Sequence, residues 1–225
     1  MEENVYTMDK TVSAFYTLKK YIYLGTKRIF DIVVSLIGLL FLIPITIILK
    51  IAFMCTGDFH KIFFVQDRIG KNGKTFKFFK YRSMVPNADE ILFRTLELDK
   101  IMAEEYKINK KLKNDPRITK IGKFIRKTSL DELPQLINVF LGDMSMIGNR
   151  PYLPREKKDM GKYYDDILKT KPGITGYWQV SGRSDTSFAE RLRLERYYSQ
   201  HCGLRIDIKI FFKTFGVVLG RKGSR

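Results

Sequence analysis

The pattern of apolar and polar positions is broken most sharply between Ile32 and Leu49, where the chain reads IVVSLIGLLFLIPITIIL, eighteen residues without a charge. As a helix this run is about 27 Å long, just short of the ~30 Å hydrocarbon core of a bilayer. No other segment is apolar enough to surround it, which predicts contact with lipid rather than burial in a protein core. A cleaved signal peptide fits poorly: the run begins some thirty residues in, and Cys55-Thr56-Gly57-Asp58 is a poor cleavage site. Pro44 lies inside the run, where it removes a backbone donor and crowds the preceding turn, so a kink is expected there. Lys27 and Arg28 precede the run, and Lys50, His60 and Lys61 follow it. A simple span carries its basic residues mainly to one side. Basic residues at both ends predict a re-entrant hairpin bent at Pro44, with both ends on one membrane face; a straight span is the alternative. Backbone groups freed at the bend need partners, and the hydroxyls of Ser35 and Thr46 stand some way from it in sequence.

Elsewhere the periodicity is that of a mostly helical chain. Residues 1–26 are polar, with Tyr16, Lys19, Lys20, Tyr21 and Tyr23 close together, a mixture suited to a membrane interface or to a solvated helix face. Phe63, Val65, Phe76 and Phe78 alternate with polar residues around Gly70-Lys71-Asn72-Gly73, which predicts a β-hairpin. Residues 87–113 read as an exposed Glu- and Lys-rich helix broken by Asp115-Pro116-Arg117. Helix resumes at about Thr119, and again over Ser129–Phe140, closed by Leu141-Gly142-Asp143. Residues 145–154 and 171–185 hold most of the Pro and Gly and read as loops; helix returns over Ser187–Gln200. From Leu204 to Leu219, Leu204, Ile208, Phe211, Phe212, Phe215, Val218 and Leu219 share one side, while Arg205, Lys209 and Lys213 share another, the pattern of an interfacial helix. The expected fold class is α with minor β: an N-terminal interfacial segment (1–26), a re-entrant membrane helix (27–56), and a compact, mainly helical catalytic domain with interfacial amphipathic helices (57–225).

Composition narrows the function. With 44% hydrophobic and 29% charged residues the chain has material for a folded core, and its net charge of +17 favours anionic partners: nucleic acid, anionic lipid or phosphorylated substrates. Cys55 and Cys202 are too few for a disulfide framework and do not make a zinc site with His60 and His201.

The chemistry centres on Thr128-Ser129-Leu130-Asp131-Glu132-Leu133-Pro134. Ser129 followed three residues later by Glu132 reads as a capping box, with Pro134 tolerated in the first turn. The same placement suits chemistry, because an ionised carboxylate is what attack on phosphorus requires, and Mg²⁺ binds through one or two carboxylates together with substrate phosphates. Arg117, Lys120, Lys123, Arg126 and Lys127 crowd just before the pair, and Lys80 and Arg82 lie in the hairpin region. Guanidinium groups near paired carboxylates suit a diphosphate. Arg150 in Gly148-Asn149-Arg150-Pro151 and Arg183 in Ser181-Gly182-Arg183 fall in predicted loops, where fixed donors often serve ligands. A solvated basic face and a membrane-tethered nucleic-acid-binding or scaffold protein are the other readings of the charge, although no helix-turn-helix or finger pattern appears.

The succession KRIFD, a Pro-containing apolar run, FVQDRIGKNGKTFKFFKYRSM, DPRITKIGKFIRKTSLDELPQLINVFLGDMSMIGNRP and KPGITGYWQVSGRSD resembles the bacterial monotopic phosphoglycosyl transferases, from about residue 27 to the end, in their compact form. The resemblance implies transfer of a sugar phosphate from a UDP-sugar to polyprenyl phosphate, the first membrane step of capsule, exopolysaccharide or glycoconjugate assembly. It implies a membrane helix bent at Pro44, Asp131 as nucleophile on the β-phosphorus, Glu132 as acid/base or positioning partner, and Mg²⁺ bridging Asp131 and the diphosphate. It places Arg126 and Arg150, with Pro151 beside it, at phosphate or nucleotide, followed by Lys80 and Arg117; Arg82 and Arg183 join them as candidates on their positions. The implied partners are a UDP-sugar, polyprenyl phosphate, inner-membrane lipids and a second copy in a homodimer, with no nucleic acid. The implied location is the bacterial inner membrane, with the catalytic domain facing the cytoplasm. Two positions depart from the pattern. Asn149 stands where the family usually has Pro, predicting a less rigid loop, and Ile43 stands before Pro44 where Ser is common, removing a hydroxyl from the kink.

Overall fold

The computed structural model describes residues 2–182 and 186–219, with side chains for 16–182 and 186–216. Its largest element is α1 (Glu2–Cys55), a single helix containing Pro44. It is the one helix among the described residues long and apolar enough to cross a membrane. One side of α1 faces outward, with Leu40, Phe41, Ile43, Ile47 and Ile48 all more than half exposed.

The other side is a continuous seam against the rest of the chain. Tyr23 donates to Asp207 Oδ2 (2.9 Å), and Lys27 forms an ion pair with the same carboxylate. Arg28 donates to the carbonyls of Val139 (2.7 Å) and Phe140 (2.8 Å) at the C-terminal end of a helix, where a cation is favoured. Asp31 accepts from Ser145 Oγ (3.0 Å) and Met146 N (2.8 Å). A Cβ on Gly38 would lie 2.5 Å from Leu136 Cδ1, so the small residue lets two helices meet. Leu42 and Leu49 pack with Tyr81 and Ile125, and Lys50 donates to the carbonyls of Phe59 (3.2 Å) and His60 (3.0 Å). Lys27 and Arg28 thus tie the start of the apolar run to distant parts of the chain, while Lys50 closes onto the segment that directly follows the helix.

Two hydroxyls lie close to Pro44, around the carbonyl of Leu42. Thr46 Oγ1 donates to Leu42 O at 2.6 Å, and the buried Tyr81 hydroxyl lies 2.5 Å from Thr46 Oγ1 and 3.3 Å from that carbonyl. One hydroxyl comes from the next turn of the same helix and the other from a strand distant in sequence.

The predicted hairpin is present. Strands β1 (Phe63–Ile69) and β2 (Thr75–Tyr81) pair antiparallel, with Phe64 opposite Lys80, Gln66 opposite Phe78 and Arg68 opposite Phe76. Because successive side chains alternate between faces, these six residues share one face of the hairpin. The predicted helix over 87–113 is two: α2 (Ala88–Leu98) and α3 (Lys100–Asn109), divided at Asp99, whose carboxylate caps α3 through Ile101 N and Met102 N. Helix α4 (Lys120–Lys127) begins as expected at Thr119, whose hydroxyl accepts from Gly122 N.

The helix expected over Ser129–Phe140, with its Ser129–Glu132 capping box, takes a different form. Ser129 is left-handed (φ 57°) and its side chain caps nothing. Leu130–Glu132 form one 3₁₀ turn, and α5 (Gln135–Leu141) starts after Pro134, with Leu133 and Pro134 both in right-handed helical conformation and bonded i to i+3 to Leu136 N and Ile137 N. Two segments expected to be loops carry structure. β3 (Ser145–Ile147) and β4 (Gly173–Thr175) pair parallel, and their backbones approach so closely that a Cβ on Gly173 would lie 2.0 Å from Gly148 N. After the short helices α6 (Lys157–Met160) and α7 (Tyr164–Ile167) and then β4, α8 (Tyr177–Ser181) follows. Helix α9 (Phe188–His201) carries a capping box formed by Ser187 and Glu190.

The last helix, α10 (Leu204–Leu219), matches its predicted bounds. It turns Asp207 and Ile210 inward, and Phe211 meets Phe30 of α1 edge-on at 5.6 Å. Leu204, Ile208, Phe212 and Phe215 remain exposed.

Candidate active site

Asp131 is buried in the 3₁₀ turn, 3% exposed, and its Oδ2 lies 2.6 Å from Lys80 Nζ. Two local features aim this pair. Lys80 projects from the hairpin face that carries Phe78, which is itself fixed against Val139 and Met144. The turn is held by backbone bonds from Glu132 N to Ser129 O (3.2 Å) and from Leu133 N to Leu130 O (3.1 Å).

Arg126 joins them from the last turn of α4. That helix docks through Gly122, where a Cβ would lie 1.9 Å from Ser83 O, so only glycine allows the approach. One turn later Arg126 Nε donates to Ser83 Oγ at 2.8 Å. Burial depresses the Arg126 pKa below the usual arginine value, and the charges of Asp131, Asp115 and Glu132 work against that. Lys80, Arg126, Asp131 and Glu132 thus form one cluster built from β2, α4 and the 3₁₀ turn.

Glu132 opens onto a neighbouring cavity of about 180 Å³. Its walls include Leu133 and Leu136 of the turn and α5, Met146 of β3, Ile174 of β4 and Gln179 of α8. Thr175 and Thr214, whose hydroxyls are 2.8 Å apart, add a polar edge. Through Leu136 this cavity adjoins the seam with α1.

The other residues singled out from sequence fall in several places. Arg117 is locked to Asp115 by two parallel bonds, Nε to Oδ1 (2.7 Å) and Nη2 to Oδ2 (2.6 Å), and both residues are buried. Burial alone would raise the Asp115 carboxyl, but the hydrogen bonds from Arg117 outweigh it and hold the carboxyl below its ordinary range. Arg82 is closed on Asp58 in the same manner (Nη2 to both carboxylate oxygens, 2.8 Å) and also donates to Lys61 O. Arg150 and Pro151 sit between β1 and α9: Arg150 N donates to Glu195 Oε1 (2.9 Å), and Pro151 O accepts from Arg68 Nη1 (3.0 Å). Arg183 lies outside the described residues. Asn149, expected to loosen this loop, ties it down: its Nδ2 bonds Ser199 Oγ (2.6 Å) and Ile167 O (3.1 Å).

Arg68, Trp178, Arg191 and Glu195 were not singled out by the sequence. Glu195 is wholly buried and accepts from Tyr152 OH at 2.5 Å; its carboxyl is pushed up to about 7 by burial, against the hydrogen bonds of Tyr152 and Arg150 N. Arg191 is buried, with its guanidinium 4.7 Å from the Trp178 ring centre.

The model of the bacterial sugar transferase family matches residues 22–221, which include every element of the Asp131 cluster. The chain belongs to the bacterial sugar transferase family. Among the members it resembles, an undecaprenyl-phosphate galactose phosphotransferase of Salmonella typhimurium is 46% identical over 201 residues, covering 88% of this chain and 41% of that protein. The exopolysaccharide production protein ExoY of Sinorhizobium fredii is 39% identical over 199 residues and is covered to 88%, as is this chain. A UDP-glucose:undecaprenyl-phosphate glucose-1-phosphate transferase of Escherichia coli is 35% identical over 196 residues. The chain spans about two fifths of the length of several of these sugar transferases.

Proposed function

We propose that this protein transfers a hexose-1-phosphate from a UDP-sugar to undecaprenyl phosphate, with Asp131 as the nucleophile. The observation that carries the reading is the buried Asp131 carboxylate held against Lys80 at 2.6 Å inside the matched family region. Asp131 Oδ attacks the β-phosphorus of the donor; an O–P bond forms, and the bond from that phosphorus to the bridging oxygen breaks, releasing UMP. A phosphate oxygen of the lipid acceptor then attacks the same phosphorus, the aspartyl O–P bond breaks, and polyprenyl diphosphate-sugar leaves. Lys80 and Arg126 supply positive charge where the equatorial phosphate oxygens gather negative charge, which is where preorganised charge lowers a barrier. Glu132 borders the cavity next to the turn, a place from which it positions substrate or moves a proton.

The donor set also suits Mg²⁺. Asp131 and Glu132 offer hard oxygen ligands, and no group of three or more His, Cys, Asp or Glu residues occurs among the described residues, so substrate phosphates would complete the shell. When bound, the ion would neutralise the diphosphate charge.

We read α1 as dipping into one leaflet of the inner membrane from the cytoplasmic side. The start of the apolar run bonds α5 through Arg28 and its end packs Leu49 with Tyr81 and Ile125, so a straight span would draw the charged domain into hydrocarbon, at high cost. The exposed stripe Leu204, Ile208, Phe212 and Phe215 of α10 suits the lipid interface. Family membership favours this transferase over a tethered nucleic-acid-binding or scaffold protein. A panel of UDP-sugars, assayed for UMP release with undecaprenyl phosphate present, tests the reading and identifies the sugar. Release from at least one donor is expected; no release from any of them, with the acceptor and Mg²⁺ supplied, would reject it.

A further inference from the structure

Around Arg150 the protein buries more positive charge than it neutralises. Arg150 acts electrostatically on both Arg68 and Arg191, each of which is depressed first by burial and next by Arg150; Arg68 falls to about 9. The nearby carboxylates are already engaged: Glu195 by Tyr152 and Arg150 N, and Glu156 by Leu153 N at 2.7 Å. Four N–H groups here are buried and make no hydrogen bond: Nε of Arg68, Arg150 and Arg191, and Nε1 of Trp178. Arg191, which carries one of them, is 4% exposed, while Arg68, Arg150 and Trp178 are half-buried. An unpaired buried donor is costly, more so on a charged group, so four gathered among three guanidinium groups describe a site shaped for an anion.

We propose that Arg68, Arg150, Arg191 and Trp178 form a phosphate site that holds the nucleoside monophosphate half of the donor and the UMP it becomes. This rests on the reading of Asp131 as the attacking group. Arg68 shares the hairpin face of Lys80, and its guanidinium leans over the Phe78 ring at 5.1 Å. Arg68 is in register with Phe76, four residues or about 13 Å along the strand from Lys80, and its guanidinium reaches back over Phe78, so the two cations face successive parts of one extended nucleotide-sugar. The choice between the two phosphate-bearing substrates follows from direction. The Lys80–Tyr81 end of the hairpin meets α1 through Thr46, whereas Arg68 lies toward the opposite end, beside Ile69 and Tyr152. A site displaced away from the membrane helix suits the water-soluble nucleotide rather than the lipid phosphate.

Calorimetric titration of the full-length protein in detergent, with UMP, inorganic phosphate and farnesyl phosphate as separate titrants, tests this. Arg68→Gln and Arg191→Gln should each weaken UMP by about 10-fold or more, the loss of one charge-assisted bond, and should leave farnesyl phosphate within about twofold of wild type. Trp178→Phe removes the donor while leaving a smaller aromatic ring beside Arg191, and should weaken UMP by about 3- to 10-fold; it decides the matter if the arginine variants do not fold. Unchanged UMP affinity in folded variants would overturn the proposal, and so would a loss confined to farnesyl phosphate. Asp131→Asn should bind UMP like wild type. Capture of sugar phosphate on Asp131 with Arg-independent UMP binding would remove this site alone, while Arg-dependent UMP binding without that capture would remove only the nucleophile.

Discussion

Two kinds of arginine neighbourhood lie within the same domain. Arg117 meets Asp115 in a bidentate bond and is buried with it, and the buried Arg82 places one nitrogen on both oxygens of the half-buried Asp58, so charge and donors are closed on themselves. Around Arg150, three guanidinium groups share carboxylates already used by Tyr152 and by backbone N–H groups, and their Nε atoms stay unbonded. In sequence nothing distinguishes the two sets of arginines. What separates an architectural arginine from a ligand-seeking one is whether its hydrogen bonds are complete, and that is a tertiary property. The Asp131 cluster stands between the two: Lys80 supplies Asp131 with a counter-charge, while the adjacent Glu132 borders a cavity.

The contrast can be broken in several ways. The largest effect is expected at Asp131: Asp131→Asn should lower UMP release by about 10³-fold or more, as loss of a nucleophile does, with its melting temperature near that of wild type. Next, Arg117→Ala should cost about 3 kcal/mol of stability by stranding the buried Asp115 carboxylate, measured by denaturant unfolding, with UMP affinity unchanged. A loss of UMP binding in that variant without destabilisation would erase the distinction between closed and open arginines. Lys80→Met should reduce kcat by about 10²-fold through lost charge stabilisation, with little change in UMP affinity. The smallest effect concerns pH. The Glu195 carboxyl is raised by burial from 4.5 to about 7, so between those values the native state holds more protons than the unfolded state and stability falls as pH rises through that window. Glu195→Gln should flatten this slope by about 1–2 kcal/mol, read from unfolding curves at pH 5 and pH 8.

Features written in local pattern were legible in the sequence. The apolar run, the hairpin around Gly70–Gly73, the Thr119 start of α4 and the span of α10 each depend on residues within a few positions of one another. Asp131 was legible too, but its setting was not. The expected capping box gives way to a left-handed Ser129 and a 3₁₀ turn, and the partner that fixes the carboxylate, Lys80, lies fifty-one residues earlier. The pairing of β3 with β4 rests on close approach of Gly148 and Gly173, which read locally as loop glycines. Arg68 and Arg191 are isolated basic residues, on a strand and on a helix rich in charge, and only folding sets both beside Arg150. Glu195 likewise reads as an exposed acid in RLRLERYYSQ, and only packing against Tyr152 shows it buried.

The most direct measurement is the intact mass of the wild-type protein after incubation with its UDP-sugar and no lipid acceptor. A covalent route through Asp131 predicts a gain of one hexose phosphate, mapped by peptide analysis to Asp131, lost when undecaprenyl phosphate is added and absent in Asp131→Asn. Full-rate transfer with no such adduct, or an adduct on any other residue, would contradict it.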